Sequence, residues 1–237
     1  MVAKFNLYDF IANLIPGLVF LWCIGLLAAL MNAHLPLDFS GGLAETSILI
    51  ALGYVAGLML QAVSERFIQR KFLLPKWGGF PSARWLLPED THFSKSYKDQ
   101  LSTLIAERFK VSTAIEAPSG STEAEARTAR LKKAQELFFL CYHYVDNLSP
   151  RPQIFNAQYG LFRCLIGVFA MLCVLSILGM ASALICERHT AYLFLLLAAL
   201  FGGCGCLSYG RCKKRSEDFA QSVYDLFIAG VAAKPVA

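Results

Sequence analysis

The chain has 237 residues, of which 56% are hydrophobic and 16% charged, with a net charge of +5 and a mean hydropathy of +0.50. Apolar content at this level exceeds what a soluble core of this length needs, which excludes an ordinary soluble globular domain. Much of the surface must be solvated by lipid.

In chain order, the first notable stretch is NLYDFIANLIPGLVFLW, residues 6–22, which sets Asp9, Asn13, Pro16 and Gly17 at the entrance of an apolar run. Pro16 has no backbone donor, so the carbonyl of Ala12 loses its helical partner and that turn loosens. Asn13 is close enough to reach such freed groups, and Asp9 sits one turn earlier on the same face. Two readings stay open: a helix break buried in protein or lining a pore, or a polar cap at the membrane interface. The run is too long for the core of a cleavable signal and lacks a small-residue cleavage site, so it is expected to stay as a span.

Four windows without charge, Phe10 to Leu37, Thr46 to Ser64, Cys164 to Cys186 and Thr190 to Gly210, each supply the roughly 20 residues that cross a hydrocarbon core. They predict transmembrane helices near 11–31, 46–64, 163–185 and 190–209. The expected fold class is an all-α integral membrane protein with a helical insert between the second and third spans. Its segments are an N-terminal hairpin over 1–64, the insert over 65–160, a second hairpin over 161–210 and a basic tail over 211–237. The second span carries Gly53 and Gly57 in GYVAG, and the fourth carries Ala198 with Gly202 and Ala199 with Gly203. This small-xxx-small spacing lets helix backbones approach closely, within one subunit or between subunits.

Basic residues orient the spans. Fourteen Lys or Arg lie between Arg66 and Arg151 and more follow the fourth span, whereas the first loop has none and the last only Arg188. The positive-inside rule therefore predicts that both termini and the insert are cytoplasmic. Of the eight cysteines, most lie in spans or on the reducing side, and Cys204 with Cys206 lack the further ligands of a metal site, so neither disulfides nor metal are expected.

The insert opens on SERFIQRKFLL, which extends the second helix out of the bilayer without a breaker until Pro75. A turn-rich stretch with Trp77 and Trp85 follows. Tyr97, Leu101, Leu104, Ile105 and Phe109 then share one helix face. Val111 to Ser121 reads as a flexible linker. Thr122 with Glu125 forms a capping box that starts a long helix. On it Leu131, Ala134, Phe138, Cys141, Val145 and Leu148 make an a/d seam. That stripe wants a partner: the 94–110 helix, the same seam of another subunit, or both. Leu131, Phe138, Cys141 and Val145 are the expected oligomer seam. Pro150 and Pro152 close the segment, and Arg163 is expected to snorkel at the start of the third span.

Catalytic signatures are lacking. There is no Walker loop, HExxH or GxSxG, and no cofactor is implied. Cys141, His143 and Asp146 are near in sequence, but Cys141 and His143 fall on different helix faces, so no enzyme is expected. Arg127, Arg130, Lys132 and Lys133 crowd the first turns of the long helix, with Arg127 on the line of the seam. Converging copies would repel unless an anion sat between them, and a nucleotide or short single strand could stack on Trp77 or Trp85. The other reading is a solvated basic face.

The order of YDFIANLIPGLVFLW, a second span with GYVAG, a basic insert, two closing spans and a basic tail resembles the small four-span membrane effectors of bacterial antiphage defence, the Hailong type in particular. The resemblance implies a homo-oligomer, with a tetramer favoured, that forms an ion-conducting pore in the inner membrane. It also implies gating by a nucleotide-derived signal, growth arrest on opening, and a nucleotidyltransferase-like partner. A non-conducting membrane-anchored sensor or scaffold predicts the same topology. An intramembrane enzyme or transporter is disfavoured by the scarcity of ionisable residues in the spans.

Overall fold

A computed structural model of the chain describes residues 9–31, 42–116, 120, 122–185 and 189–233; the side chain of Asp9 is outside that set. The loop between the first two spans, residues 32–41, and parts of the 111–121 linker, residues 117–119 and 121, lie outside the described residues. Among the described residues every regular element is helical. A π-helical turn, Asp9–Leu14, leads into α1 (Ile15–Leu30), and α2 (Leu43–Val63) runs into a second π-helical segment, Ser64–Leu73. Then come α3 (Leu74–Trp77), α4 (Pro81–Arg84), α5 (Lys95–Phe109), α6 (Glu123–Val145), α7 (Arg151–Ile185) and α8 (Ala191–Ala233).

Four helical runs are long and apolar enough to cross a membrane: Phe10–Leu30, Leu43–Arg84, Arg151–Ile185 and Ala191–Ala233. The protein is thus a helical multi-pass membrane protein, with further helices between the second and third spans. Span helices extend well past the apolar windows, because nothing in SERFIQRKFLL or in GRCKKRSEDF breaks a helix. Pro152 is tolerated in the first turn of α7, where its missing donor would be unpaired anyway.

The chain divides into two compact units. The first comprises Met1–Phe72 and Ala157–Lys213. Its core is formed by Cys23 and Leu27 of α1, Leu60 of α2, Val168, Leu172 and Ala183 of α7, and Phe194 and Phe201 of α8. Gly179 makes the last two helices fit: a Cβ there would come within 2.7 Å of the Phe194 ring.

The second unit comprises Leu73–Asn156 and Lys214–Ala237. The capping box is made: the Thr122 Oγ1 accepts from the Glu125 amide at 3.4 Å, and the Glu125 carboxylate accepts from the Thr122 amide at 2.9 Å. Those bonds hold the Glu125 carboxyl below its ordinary value. From there α6 runs unbroken to Val145 and buries Ala134, Leu137, Phe138, Cys141 and Val145. Leu101 and Ile105 of α5 enter the same core, with Trp85 and Leu87 from the turn-rich stretch.

The element that completes this core is the chain's own tail. Ala220, Val223, Tyr224, Phe227 and Val231 of α8 are buried in it. Phe138 meets the rings of Phe219 and Tyr224 edge to face at 5.4 and 5.5 Å. Tyr224 is fully buried and its hydroxyl donates to the Ser82 carbonyl; burial drives its pKa well above the usual tyrosine value. Around it, the Tyr97 hydroxyl donates to Asp225 at 2.9 Å and the Tyr144 hydroxyl to the Gly230 carbonyl at 3.1 Å.

This arrangement corrects the seam reading. Phe138, Cys141 and Val145 are covered within one chain, in a core shared with α5, the turn-rich stretch and α8, so they offer no open stripe to a second copy. Leu131 is half-buried beside the same core, and Leu148 is exposed. The segment read as a basic tail instead supplies a core helix from Lys214 onward.

Two expectations follow. Phe227→Ala removes a buried ring from the centre of the second unit and should cost about 3–5 kcal/mol, read as a lower melting temperature with the span helix content retained. Burial pushes the Cys141 thiol up to about 12, so it should resist alkylation at neutral pH until the second unit unfolds.

Candidate functional site

Three groups of residues are candidates, and each is positioned by local structure. The first is the predicted helix break. Pro16 and Gly17 are buried at the start of α1, directly after the π-helical turn that begins at Asp9. A wider i→i+5 turn just ahead of a proline is what the missing donor favours, and π turns concentrate at functional positions. Asn13 is 3% exposed, so it is not an interfacial cap in solvent.

What buries this stretch is α2. A Cβ on Gly17 would fall 1.8 Å from the Gly53 carbonyl oxygen, and one on Gly57 would fall 1.9 Å from the Asn13 carbonyl oxygen. Gly17, Gly53 and Gly57 therefore bring the backbones of the first two spans into direct contact, as small-residue helix pairs do in lipid. The glycines of the fourth span differ. A Cβ added at Gly202 or Gly203 would meet nothing within 4 Å among the described residues.

The second group is the basic start of α6. Arg127 reaches the Gly78 carbonyl at 3.3 Å, and Arg130 pairs with Glu89 at 3.4 Å. Lys133 pairs loosely with Glu136 at 3.9 Å, and Lys132 is exposed. Gly78 and Gly79, with φ of 68° and 118°, turn the chain beneath α6, and a Cβ on Gly78 would crowd the Arg127 guanidinium at 2.9 Å. Arg127 and Arg130 thus dock α6 onto the turn-rich stretch, Lys133 pairs within α6 and Lys132 is exposed, so the four cations make separate contacts rather than sharing one.

Trp77 and Trp85 cannot serve as stacking platforms. Trp77 is 5% exposed and Trp85 1%. One face of Trp85 already carries His92, stacked at 3.6 Å, and its edge meets Phe93 at 5.3 Å. Both indoles are core residues, because the turn-rich stretch folds down on α5 and α6 instead of standing free.

The third group is one that motif reading did not find. A cleft of about 570 Å³ in the second unit is lined by Leu86 and Phe93 at its apolar side and by Thr91, Lys95, Lys98, Asp99, Ser102 and Thr113 at its polar side. Its size is that of a small-molecule site. The Lys98 ammonium lines it while donating to the Leu87 and Asp90 carbonyls, both at 2.5 Å. Asp90 is neutralised by Arg84 at 2.9 Å, so it adds little negative charge there. No sequence motif marks the cleft, since it is assembled from residues 86–115 only once Phe93 and Leu101 are buried.

No family model, curated protein or solved structure matches the chain.

The glycine contacts make a differential prediction. Gly57→Ala drives a methyl group into the Asn13 backbone and should destabilise the protein by about 1–3 kcal/mol, whereas Gly202→Ala should leave the melting of dispersed single chains unchanged or slightly raised.

Proposed function

We propose that this protein is a homo-oligomeric membrane effector whose spans form an ion-conducting pore and whose second unit receives a nucleotide or oligonucleotide signal. Release of the membrane potential and growth arrest, as in the antiphage effectors it resembles, would be the output, with a nucleotidyltransferase-like protein as the signal's source. The observation that carries this reading is α8. One uninterrupted helix, Ala191–Ala233, contributes Phe194 and Phe201 to the core of the first unit and Val223, Tyr224 and Phe227 to that of the second. A ligand that shifts the packing around Tyr224 acts on a residue of the same helix that forms the fourth span.

Assembly through the spans is supported by what the chain leaves uncovered. Only 17% of the most apolar window of the second run, and 17% of that of the fourth, is buried within one chain. The glycine spacing at Gly202 and Gly203 lies on the fourth. Subunit contacts of this kind use small residues to bring backbones together. Four copies is the number that the resemblance implies. The cleft beside Lys98, rather than the two buried tryptophans, offers room for a ligand among the described residues of the second unit.

Purified protein in liposomes carrying a preset potassium potential should dissipate it, with the rate changed by short oligonucleotides or nucleotides and the change lost in Lys98→Glu. Liposomes that hold their potential at every protein-to-lipid ratio, with and without ligand, would leave a non-conducting membrane scaffold as the reading.

A further inference from the structure

Arg163 departs from its expected behaviour. Instead of snorkelling to water, it is 7% exposed within the first unit. Its Nη1 donates to the Gln69 side-chain oxygen, which also accepts from the Tyr159 hydroxyl at 3.1 Å. The guanidinium carbon lies 5.6 Å from the centre of the Tyr159 ring. Its Nε has no hydrogen-bond partner, and no carboxylate among the described residues pairs with it. Arginine does not lose its proton in proteins, so this is a full positive charge met by the Gln69 amide, the face of the Tyr159 ring and the Cys164 thiol, none of which carries a negative charge. A buried, uncompensated charge is strongly unfavourable unless a counter-ion completes it.

The surroundings say which counter-ion fits. Gln69 belongs to the π-helical segment Ser64–Leu73, whose end meets α8 where the Phe72 and Tyr209 rings touch at 6.1 Å. The π-helical segment carries exposed Arg66 and Lys71 and α8 carries exposed Arg211, while the acid on the segment, Glu65, is taken by Arg70 at 2.7 Å. Beside these cations stand exposed apolar side chains, Val63, Phe67 and Phe72. Cations next to uncovered apolar surface at the end of membrane spans suit a molecule that joins a phosphate to acyl chains.

The geometry points to a binding site for the phosphate of an anionic phospholipid at Arg163, between the π-helical segment and α7. The lipid supplies the charge that Gln69 lacks. Gln69 and Tyr159 orient the guanidinium, and the site ties the π-helical segment to α7.

The test measures melting of the full chain in neutral detergent with added phosphatidylglycerol, phosphatidylcholine or inorganic phosphate. Phosphatidylglycerol near saturation should raise the melting temperature by about 5–10 °C, and the other two should not. The rise should vanish in Arg163→Gln and shrink in Arg163→Lys, which keeps the charge but not the planar fork. In the paired variant Arg211→Gln with Lys213→Gln most of it should remain. An equal rise with phosphatidylcholine or with inorganic phosphate would overturn the lipid assignment. So would a full rise in Arg163→Lys, or a loss in the Arg211 and Lys213 pair as large as in Arg163→Gln, which would assign the effect to a diffuse basic belt.

Discussion

Tyr224 sits where three lines of the second unit cross. Its ring packs edge to face on Phe93 at 5.7 Å and on Phe138 at 5.5 Å, and its hydroxyl reaches back to Ser82. Buried aromatic pairs of this geometry contribute about 0.5–1.5 kcal/mol each beyond the area they cover. Removing α8 from this unit would expose the stripes of α5 and α6 together, since both are closed by the same helix face. The continuity of α8 from Ala191 to Ala233 is therefore the constraint from which the rest follows. It fixes what fills the core of the second unit, and it leaves no free heptad seam on α6.

A different device organises the first unit. In lipid, apolar side chains gain nothing by meeting one another rather than acyl chains, so close backbone approach and polar contacts must hold helices together. Gly17, Gly53 and Gly57 supply the first, with the π-helical turn before Pro16 placing Asn13 against α2. Gln61, with the Cys164 thiol at 2.5 Å from its side-chain oxygen, and Gln69, with Tyr159 and Arg163, supply the second. Gly167 belongs to the same set: a Cβ there would stand 2.8 Å from the Ser64 hydroxyl, so glycine lets α7 lie close to the end of α2.

The spans were legible in the sequence because uncharged windows of about 20 residues have a single physical explanation. So were the capping box at Thr122 and the apolar face of α5, which depend on local spacing alone. The role of α8 beyond Lys214 was present as Ala220, Val223, Tyr224, Phe227 and Val231, which fall at i, i+3, i+4, i+7 and i+11 of one helix face. The basic cluster Arg211 to Arg215 precedes it and gives the segment the composition of a solvated tail. The tryptophans were misread for the opposite reason: aromatic residues in a proline-rich stretch look available, and only the tertiary fold shows that Trp85 is covered by His92 and Phe93. The cleft near Lys98 and the burial of Arg163 have no local signature at all, because each is made by segments distant in sequence.

Hydrogen exchange of the full chain, resolved by peptide, tests most directly whether α8 completes the core of the second unit. If it does, amides of 219–231 exchange slowly and open together with those of 134–145, as one cooperative unit. Rapid exchange over 219–231 while 134–145 stays protected would contradict it, and would return the α6 stripe to the role of a seam between copies.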